Sequence, residues 1–303
     1  MNNQLISIVL TTYSRPTNLC RAIDSVLSQT YKPIEIIVVD DNGEGTEYQL
    51  QTEKILENYI NSNSIVYIKH KKNLNGSAAR NTGVKASKGF FVGLLDDDDE
   101  FCPTKVETQI NTLREAMKSD PQCQGCYCNT RMDYGSGKIG VRNNLPTNNL
   151  SEALLLGISK FNTSTFLCTK ESYLSINGFD ERFLRHQDWE FFIRYLSRYK
   201  MVLPDAPAPL ITKHITPNAI TRDPHKLIQY KEFFLEQMHD YIYNLSCAEK
   251  IMYRQYMDLS LGLTQYGFFA DAFSYLRKAN HYKRVTIEDM LQIVRRIIRF
   301  IKK

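Results

Sequence analysis

Two near-continuous apolar runs that stop abruptly on carboxylates constrain this chain most: IEIIVVDD at 34–41 and FFVGLLDDDDE at 90–100. A strand apolar at almost every position, rather than every second one, must be covered on both faces, as in parallel sheets flanked by helices. LISIVLT (5–11) and SIVYIKH (64–70) read as two further strands. Between the first two, Leu19, Ala22, Ile23, Val26 and Leu27 recur at helical spacing, with Thr17 or Asn18 as N-cap. The small-residue run SAARNTGVKAS supplies another helix before the fourth strand. Strand alternating with helix predicts a doubly wound, mainly parallel α/β sheet, whose ligand crevice lies beyond the carboxyl ends of the strands. Thr11, Tyr13, Arg15, Asp40, Asp41 and Asp96 to Asp99 all fall there.

Beyond residue 100, Val106, Ile110, Leu113 and Met117 mark a helix, and 123–215 mixes short strands with loops. PDAPAP (204–209) is a connector, since proline suits neither helix interior nor central strand. From 224 the pattern is helical to the end. This predicts a domain over 1–223 and an all-helical C-terminal region over 224–303. No apolar run approaches the roughly 18 residues that a membrane span needs, and no basic segment precedes the short apolar stretch at the N-terminus, so a cytoplasmic location is expected. Seven cysteines, an odd number, are expected to be reduced. Cys123, Cys126 and Cys128 resemble half a zinc site, but no fourth ligand is near, and in a β-like run they read as small apolar residues.

The absence of glycine from the turn TTYSRPTN excludes a dinucleotide-binding G-x-G-x-x-G, and no GK[ST] turn exists for a P-loop. The crevice must therefore hold its ligand by side chains and an ion. Asp96-Asp97-Asp98-Asp99-Glu100 would repel one another unless a cation sat among them; a hard divalent ion would also accept phosphate oxygens. A solvated acidic loop is the alternative, but the run closes a buried strand. Asp40 and Asp41 can accept a base N–H or ribose hydroxyl; the alternative is an Asx turn into Asn42-Gly43, which Asp41 could form while still facing the ligand. Tyr13 offers a face for a base and Arg15 a fork for phosphate.

The run SIVLTTYSRPTNLCRAIDSVLSQTYKPIEIIVVDDNGEG, then NLNGSAARNTGVKASKGFFVGLLDDDDEFCP, then GFDERFLRHQDWEFFIRY resembles the family 2 glycosyltransferases of the GT-A fold, in order and spacing, over about 5–220. The resemblance implies a nucleotide-binding half (1–99) and an acceptor half (100–223). It implies that Thr11, Tyr13, Arg15, Asp40, Asp41, Asn75, Gly76, Arg80, Asp96, Asp97 and also Asn81 line the nucleotide-sugar site, with a UDP-sugar the commonest donor in the family and GDP- and dTDP-sugars the alternatives. It places the D-x-D metal motif, for Mn2+ or Mg2+, on Asp96 and Asp98, with Asp98 the direct ligand. The catalytic base falls on Asp188, although the acidic residue usual before it is Gln187 here. His214 matches a late histidine that in some GT-A enzymes reaches the metal or diphosphate; an ordinary structural histidine is the alternative. The activity implied is inverting, metal-dependent transfer of a sugar to a saccharide or lipid-linked saccharide in cell-surface polysaccharide synthesis. A sugar-phosphate nucleotidyltransferase would normally need a Gly-rich basic loop after the first strand, and an inactive nucleotide- or carbohydrate-binding relative would tolerate loss of Asp188.

The net charge of +5 lies in the tail, where 283–303 holds seven basic residues against Glu288 and Asp289, and the rest of the chain balances. That removes any general attraction to nucleic acid. In TIEDMLQIVRRIIRFIKK an apolar stripe runs beside the cations, predicting either peripheral membrane contact through 284–303 or a helix packed on the protein with its charges in water.

Overall fold

The structure is a computed structural model that describes residues 4–135, 137–144, 147, 149–205, 208–215 and 223–302. The chain divides into two compact units, one formed by 1–146 and 160–216, the other by 147–159 and 217–303.

The first unit opens with β1 (Ile6–Thr12), α1 (Pro16–Leu27), β2 (Ile34–Asp40), α2 (Glu47–Asn61), β3 (Val66–Lys69), α3 (Gly76–Ala86) and β4 (Phe91–Asp96). β1 pairs in parallel with both β2 and β4, and β2 with β3. The apolar residues divide by parity. Ile6, Ile8 and Leu10 join Leu19, Ile23 and Val26 of α1 in one core layer, while Ile37, Val39 and Ala79 pack on the α3 side. Small residues let α3 lie close: a Cβ at Gly83 would stand 2.2 Å from Val9 Cγ1. α1 begins earlier than the cap expected at Thr17 or Asn18. Pro16, with its fixed φ, occupies the first turn, and the cap position is Arg15, whose side chain makes no cap bond.

β5 (Asp99–Phe101) and α4 (Lys105–Ser119) follow, then β6 (Cys123–Cys126), β7 (Thr130–Asp133) and β8 (Ile139–Arg142). After α5 (Leu150–Leu155), which belongs to the second unit, come a 3-10 turn at Thr163–Thr165, β9 (Leu167–Thr169), α6 (Lys170–Ser175), α7 (Gln187–Leu196), β10 (Lys200–Val202) and β11 (Ile211–His214). Among the described residues the main sheet runs β10-β6-β9-β4-β1-β2-β3. Only β9 is antiparallel to its neighbours in it. A smaller sheet, β5-β11-β7-β8, begins where the acidic run ends, with Lys213 of β11 opposite Asp99 of β5.

Cys123, Cys126 and Cys128 are buried, the first two as part of β6. Burial pushes their thiols up, Cys128 to about 12.

The second unit is helical: α5, α8 (Pro224–Gln237), α9 (His239–Tyr243), α10 (Ala248–Gln265), α11 (Phe269–Tyr282) and α12 (Ile287–Ile301). Residues 147–159, read from the sequence as part of the first domain, group here because α5 is built under α10. Gln255 Nε2 donates to Leu155 O at 2.7 Å, and Ser246 donates to Glu152 through its backbone N at 2.9 Å and its hydroxyl at 2.6 Å. The boundary expected between 223 and 224 falls beside residues 216–222, outside the described residues, as do parts of the 204–209 connector. No helix of the described residues is long and apolar enough to cross a membrane.

Candidate active site

The ends of β1, β2 and β4 converge, as Thr11 pairs with Asp96 across the sheet and Thr12 with Asp40. The four aspartates of 96–99 are not equivalent. Asp96 ends β4, Asp97 and Asp98 make a two-residue turn, and Asp99 starts β5. Asp96, Asp98 and Asp99 each offer an oxygen within 4.8 Å of the others. Asp97 turns the other way, fully buried, where it accepts from Thr12 Oγ1 at 2.8 Å and pairs with Arg15 Nη2 at 2.7 Å. Arg15 also pairs with Asp98.

Cations and hydroxyls frame this group. Arg80 Nη2 donates to Asp96 at 2.7 Å, Thr163 Oγ1 donates to its other oxygen at 3.0 Å, and Ser164 Oγ accepts from its backbone N–H. Lys213 Nζ stands 3.3 Å from Asp99. Burial raises Asp96, but Arg80 and Lys213 outweigh it and hold the carboxyl at about 2. Burial carries Asp97 up to about 7 despite Arg15 and Thr12, and Asp99 up to about 6 despite Lys213. The donor set is three hard oxygens, so the residues present fit a Mg2+ or Mn2+ ion.

The β2 carboxylates part company. Asp40 is fully buried and satisfied: Asn42 donates to one oxygen from its backbone N–H (2.9 Å) and side chain (2.8 Å), and Tyr67 OH donates to the other (2.6 Å). It is the aspartate that forms the turn expected of Asp41. Asp41 is aimed by three partners: His70 Nδ1 at 2.7 Å and Leu74 N at 2.8 Å on one oxygen, Asn73 Nδ2 at 2.8 Å on the other. Tyr13 is half exposed at the end of β1.

Asn75 has φ +83°, a strained conformation for any side chain, and caps α3 by accepting from Ser77 N (2.9 Å) and Ala78 N (3.2 Å). Its amide also donates to Glu181 O at 2.9 Å. Ser14 and His186, at φ +57° and +61°, are strained in the same sense on the two neighbouring site segments. Gly76 leaves room for a bridge: Arg80 Nη1 donates to Gln187 Oε1 at 3.2 Å, and a Cβ at Gly76 would stand 3.0 Å from that nitrogen. Asn81 braces the segment before α7, donating to Phe179 O at 2.9 Å and Glu181 at 3.0 Å.

Asp188 lies in the first turn of α7, its carboxylate accepting from Trp189 N at 3.0 Å. Burial raises its pKa, the Trp189 N–H and Arg80 lower it, and Asp96 raises it, for a net rise. His214 does not join the acidic group. Its Nε2 lies 3.1 Å from Glu100 and its Nδ1 3.5 Å from Asp133, because adjacent strand residues face opposite ways and Lys213 takes the side of Asp99. Thr12, Thr163, Ser164, His70 and Lys213 were not singled out from sequence. Thr163 and Ser164 carry no local signal, whereas Lys213 is readable only once β11 is paired with β5.

A family model described as Glycosyl transferase family 2 matches residues 7–175. An uncharacterized glycosyltransferase of Rickettsia felis is 31% identical over 195 residues, which are 63% of this chain and 31% of that one, so the match spans about a third of that relative's length. The amylovoran biosynthesis glycosyltransferase AmsB of Erwinia amylovora is 24% identical over 246 residues, 80% of each chain. The UDP-Glc:alpha-D-GlcNAc-diphosphoundecaprenol beta-1,3-glucosyltransferase WfaP of Escherichia coli is 33% identical over 110 residues, 36% of this chain and 41% of that one. Among solved structures, S. aureus TarS 1-349 in complex with UDP-GlcNAc superposes with TM-score 0.59 at 18% identity, covering 98% of this chain and 80% of that one. The mannosyltransferase PcManGT from Pyrobaculum calidifontis, in complex with GDP-Man and Mn2+, gives 0.58 at 13% identity, covering 96% and 78%. These two share the fold. With the family model spanning more than half of its length, the chain belongs to glycosyl transferase family 2.

Proposed function

We propose that this protein is an inverting, metal-dependent glycosyltransferase that moves a sugar from a nucleoside-diphosphate donor, a UDP-sugar, to a hydroxyl of a saccharide or lipid-linked saccharide. Its place is the cytoplasmic face of the plasma membrane, in cell-surface polysaccharide synthesis. The observation that carries the reading is the Asp96, Asp98 and Asp99 oxygen cluster at the end of β4, framed by Arg15, Arg80 and Lys213. The UDP-Glc used by WfaP and the UDP-GlcNAc bound in the TarS complex support a uridine donor, and the Mn2+ of the PcManGT complex supports manganese.

Asp96 and Asp98 would hold the ion, with Asp99 beside them. When bound, a divalent cation stabilises the negative charge that builds on the departing diphosphate. Arg15 and Lys213 bring cations to the same group and are placed to trade a carboxylate for a phosphate oxygen. Asp41, aimed by His70, Asn73 and Leu74, accepts a base N–H, and Tyr13 lays its ring against the base. Thr11 lines the floor between Asp96 and Val39, and Asp40 supports the site from below through the Asn42 turn. Arg80 ties Asp96 to Gln187, next to Asp188.

Asp188 takes the proton of the acceptor hydroxyl as that oxygen attacks the anomeric carbon. The bond to the nucleoside diphosphate breaks on the opposite side, so one in-line displacement inverts the anomeric centre. His214, tied to Glu100 and Asp133, is left outside this chemistry. Calorimetry of UDP, GDP, CDP and dTDP, each with and without Mn2+, tests the donor site. Metal-dependent binding of UDP is expected, and binding of no nucleotide under any condition would overturn the reading.

A further inference from the structure

Helix α12 presents one broad apolar arc, and the fold covers only part of it. Inward, Ile293 is buried and Ile297 packs in the same cluster; Arg296 donates to Leu261 O at 3.1 Å, and Phe300 meets Phe269 edge to face, 5.5 Å between ring centres. A capping box between Thr286 and Asp289 fixes the helix start, and Tyr253 OH reaches the same carboxylate at 2.5 Å. The helix is therefore docked on α10 and α11 and cannot turn its other side in. Outward, Ile287 (83% exposed), Leu291 (49%), Val294 (45%), Ile298 (46%) and Ile301 (74%) line one stripe. These positions recur at i, i+4, i+7, i+11 and i+14, one ridge along the helix. The stripe continues over a groove of about 390 Å3, with Ile293 and Ile297 on one wall, to Phe273 of α11, which is 53% exposed. An exposed apolar face this long marks a docking surface.

Charge decides the occupant. Arg295, Arg299 and Lys302 are exposed along one edge of the stripe, and Arg277 lies over the Phe273 ring at 4.6 Å on the other side. Among the described residues of α12, Glu288 is the one exposed carboxylate, since Asp289 is spent on the cap. A second copy on this face would bring two such cation rows together with little to answer them. A negatively charged lipid surface answers both parts, taking the apolar ridge among its acyl chains and the cations among its headgroups.

We infer that α11 and α12 form an in-plane docking surface for an anionic bilayer, with Phe273 entering the interface beside the α12 ridge. The inference uses the proposed location only to say which leaflet is met. Vesicle binding reads it without any transfer assay, so the two stand or fall separately.

The full chain is to be floated with vesicles of phosphatidylcholine alone and of phosphatidylcholine with phosphatidylglycerol in equal parts. Binding is expected on the anionic vesicles only, weakening with salt. Arg295→Gln and Arg299→Gln should each lower the partition coefficient about fivefold, and Leu291→Gln with Ile298→Gln should abolish it. These side chains are exposed, so the variants keep the thermal midpoint and nucleotide affinity of the wild type. A Phe273→Trp variant should shift its emission to the blue on anionic vesicles, against the fixed background of Trp189. Equal binding to both vesicle types, no binding to either, an unshifted emission from the Phe273→Trp variant, or a dimer in solution that the Leu291→Gln, Ile298→Gln pair dissolves would each overturn the assignment.

Discussion

At the scale of single residues, the acidic run shows how geometry sorts side chains that look alike. In sequence Asp96 to Asp99 are four equal acids; a two-residue turn between β4 and β5 sends three to one point and one to the interior. Asp98→Asn removes a hard oxygen from that point, and metal-dependent nucleotide affinity should fall on the order of 100-fold by calorimetry. Asp97 gives a pH signature. Its carboxyl titrates at about 7 in the folded, metal-free protein and near 3.8 when unfolded, so the folded state binds the proton more tightly. Stability therefore declines as pH rises from about 4 to about 7, and Asp97→Asn should flatten that slope in denaturant titrations across the window. Asp99, raised to about 6, adds to the wild-type slope with the same sign. Asp188 must be ionised to accept a proton and its pKa is raised, so the acid limb of kcat/KM against pH should lie above the ordinary carboxylate range. The roles of Asp40 and Asp41 could not be separated from sequence. Both follow the same apolar run ahead of the Asn42-Gly43 turn, and only the partner Tyr67, which no local pattern announces, and the bonds from Asn42 show which is consumed by the fold.

At the scale of elements, β1 to β4 and the helices between them were legible because burial on both faces writes a continuous apolar run. β9 was not: three residues of an antiparallel insertion, Leu167–Thr169, leave no period to read. The small sheet was hidden for the same reason, and with it the pairing that sets Lys213, not His214, beside the acidic group. The α12 stripe was visible as a pattern, but its two alternatives, packed helix or exposed apolar face, are both present on adjoining parts of one helix surface. Close packing of α3 on the sheet gives a direct test of the first unit. Gly83→Val would drive a side chain into Val9 and Val39, and the thermal midpoint should drop by the equivalent of about 1–3 kcal/mol.

At the scale of the whole molecule, the chain is two units whose boundary does not follow sequence order, since 147–159 joins the C-terminal helices. No local pattern could announce this; it arises because α5, whose Leu154 and Leu155 are buried, docks on α10, where Gln255 Nε2 donates to Leu155 O. A chain ended after Asp223 should accordingly expose that segment and bind a hydrophobic dye or aggregate. The account as a whole rests on transfer chemistry at Asp188 in a site whose donor binding does not need it. Its most direct test is turnover of a UDP-sugar by the wild type and by Asp188→Asn, with UDP affinity measured alongside. The account predicts unchanged affinity and a kcat lower by roughly a hundred- to ten-thousand-fold. A variant that turns over at the wild-type rate would contradict it.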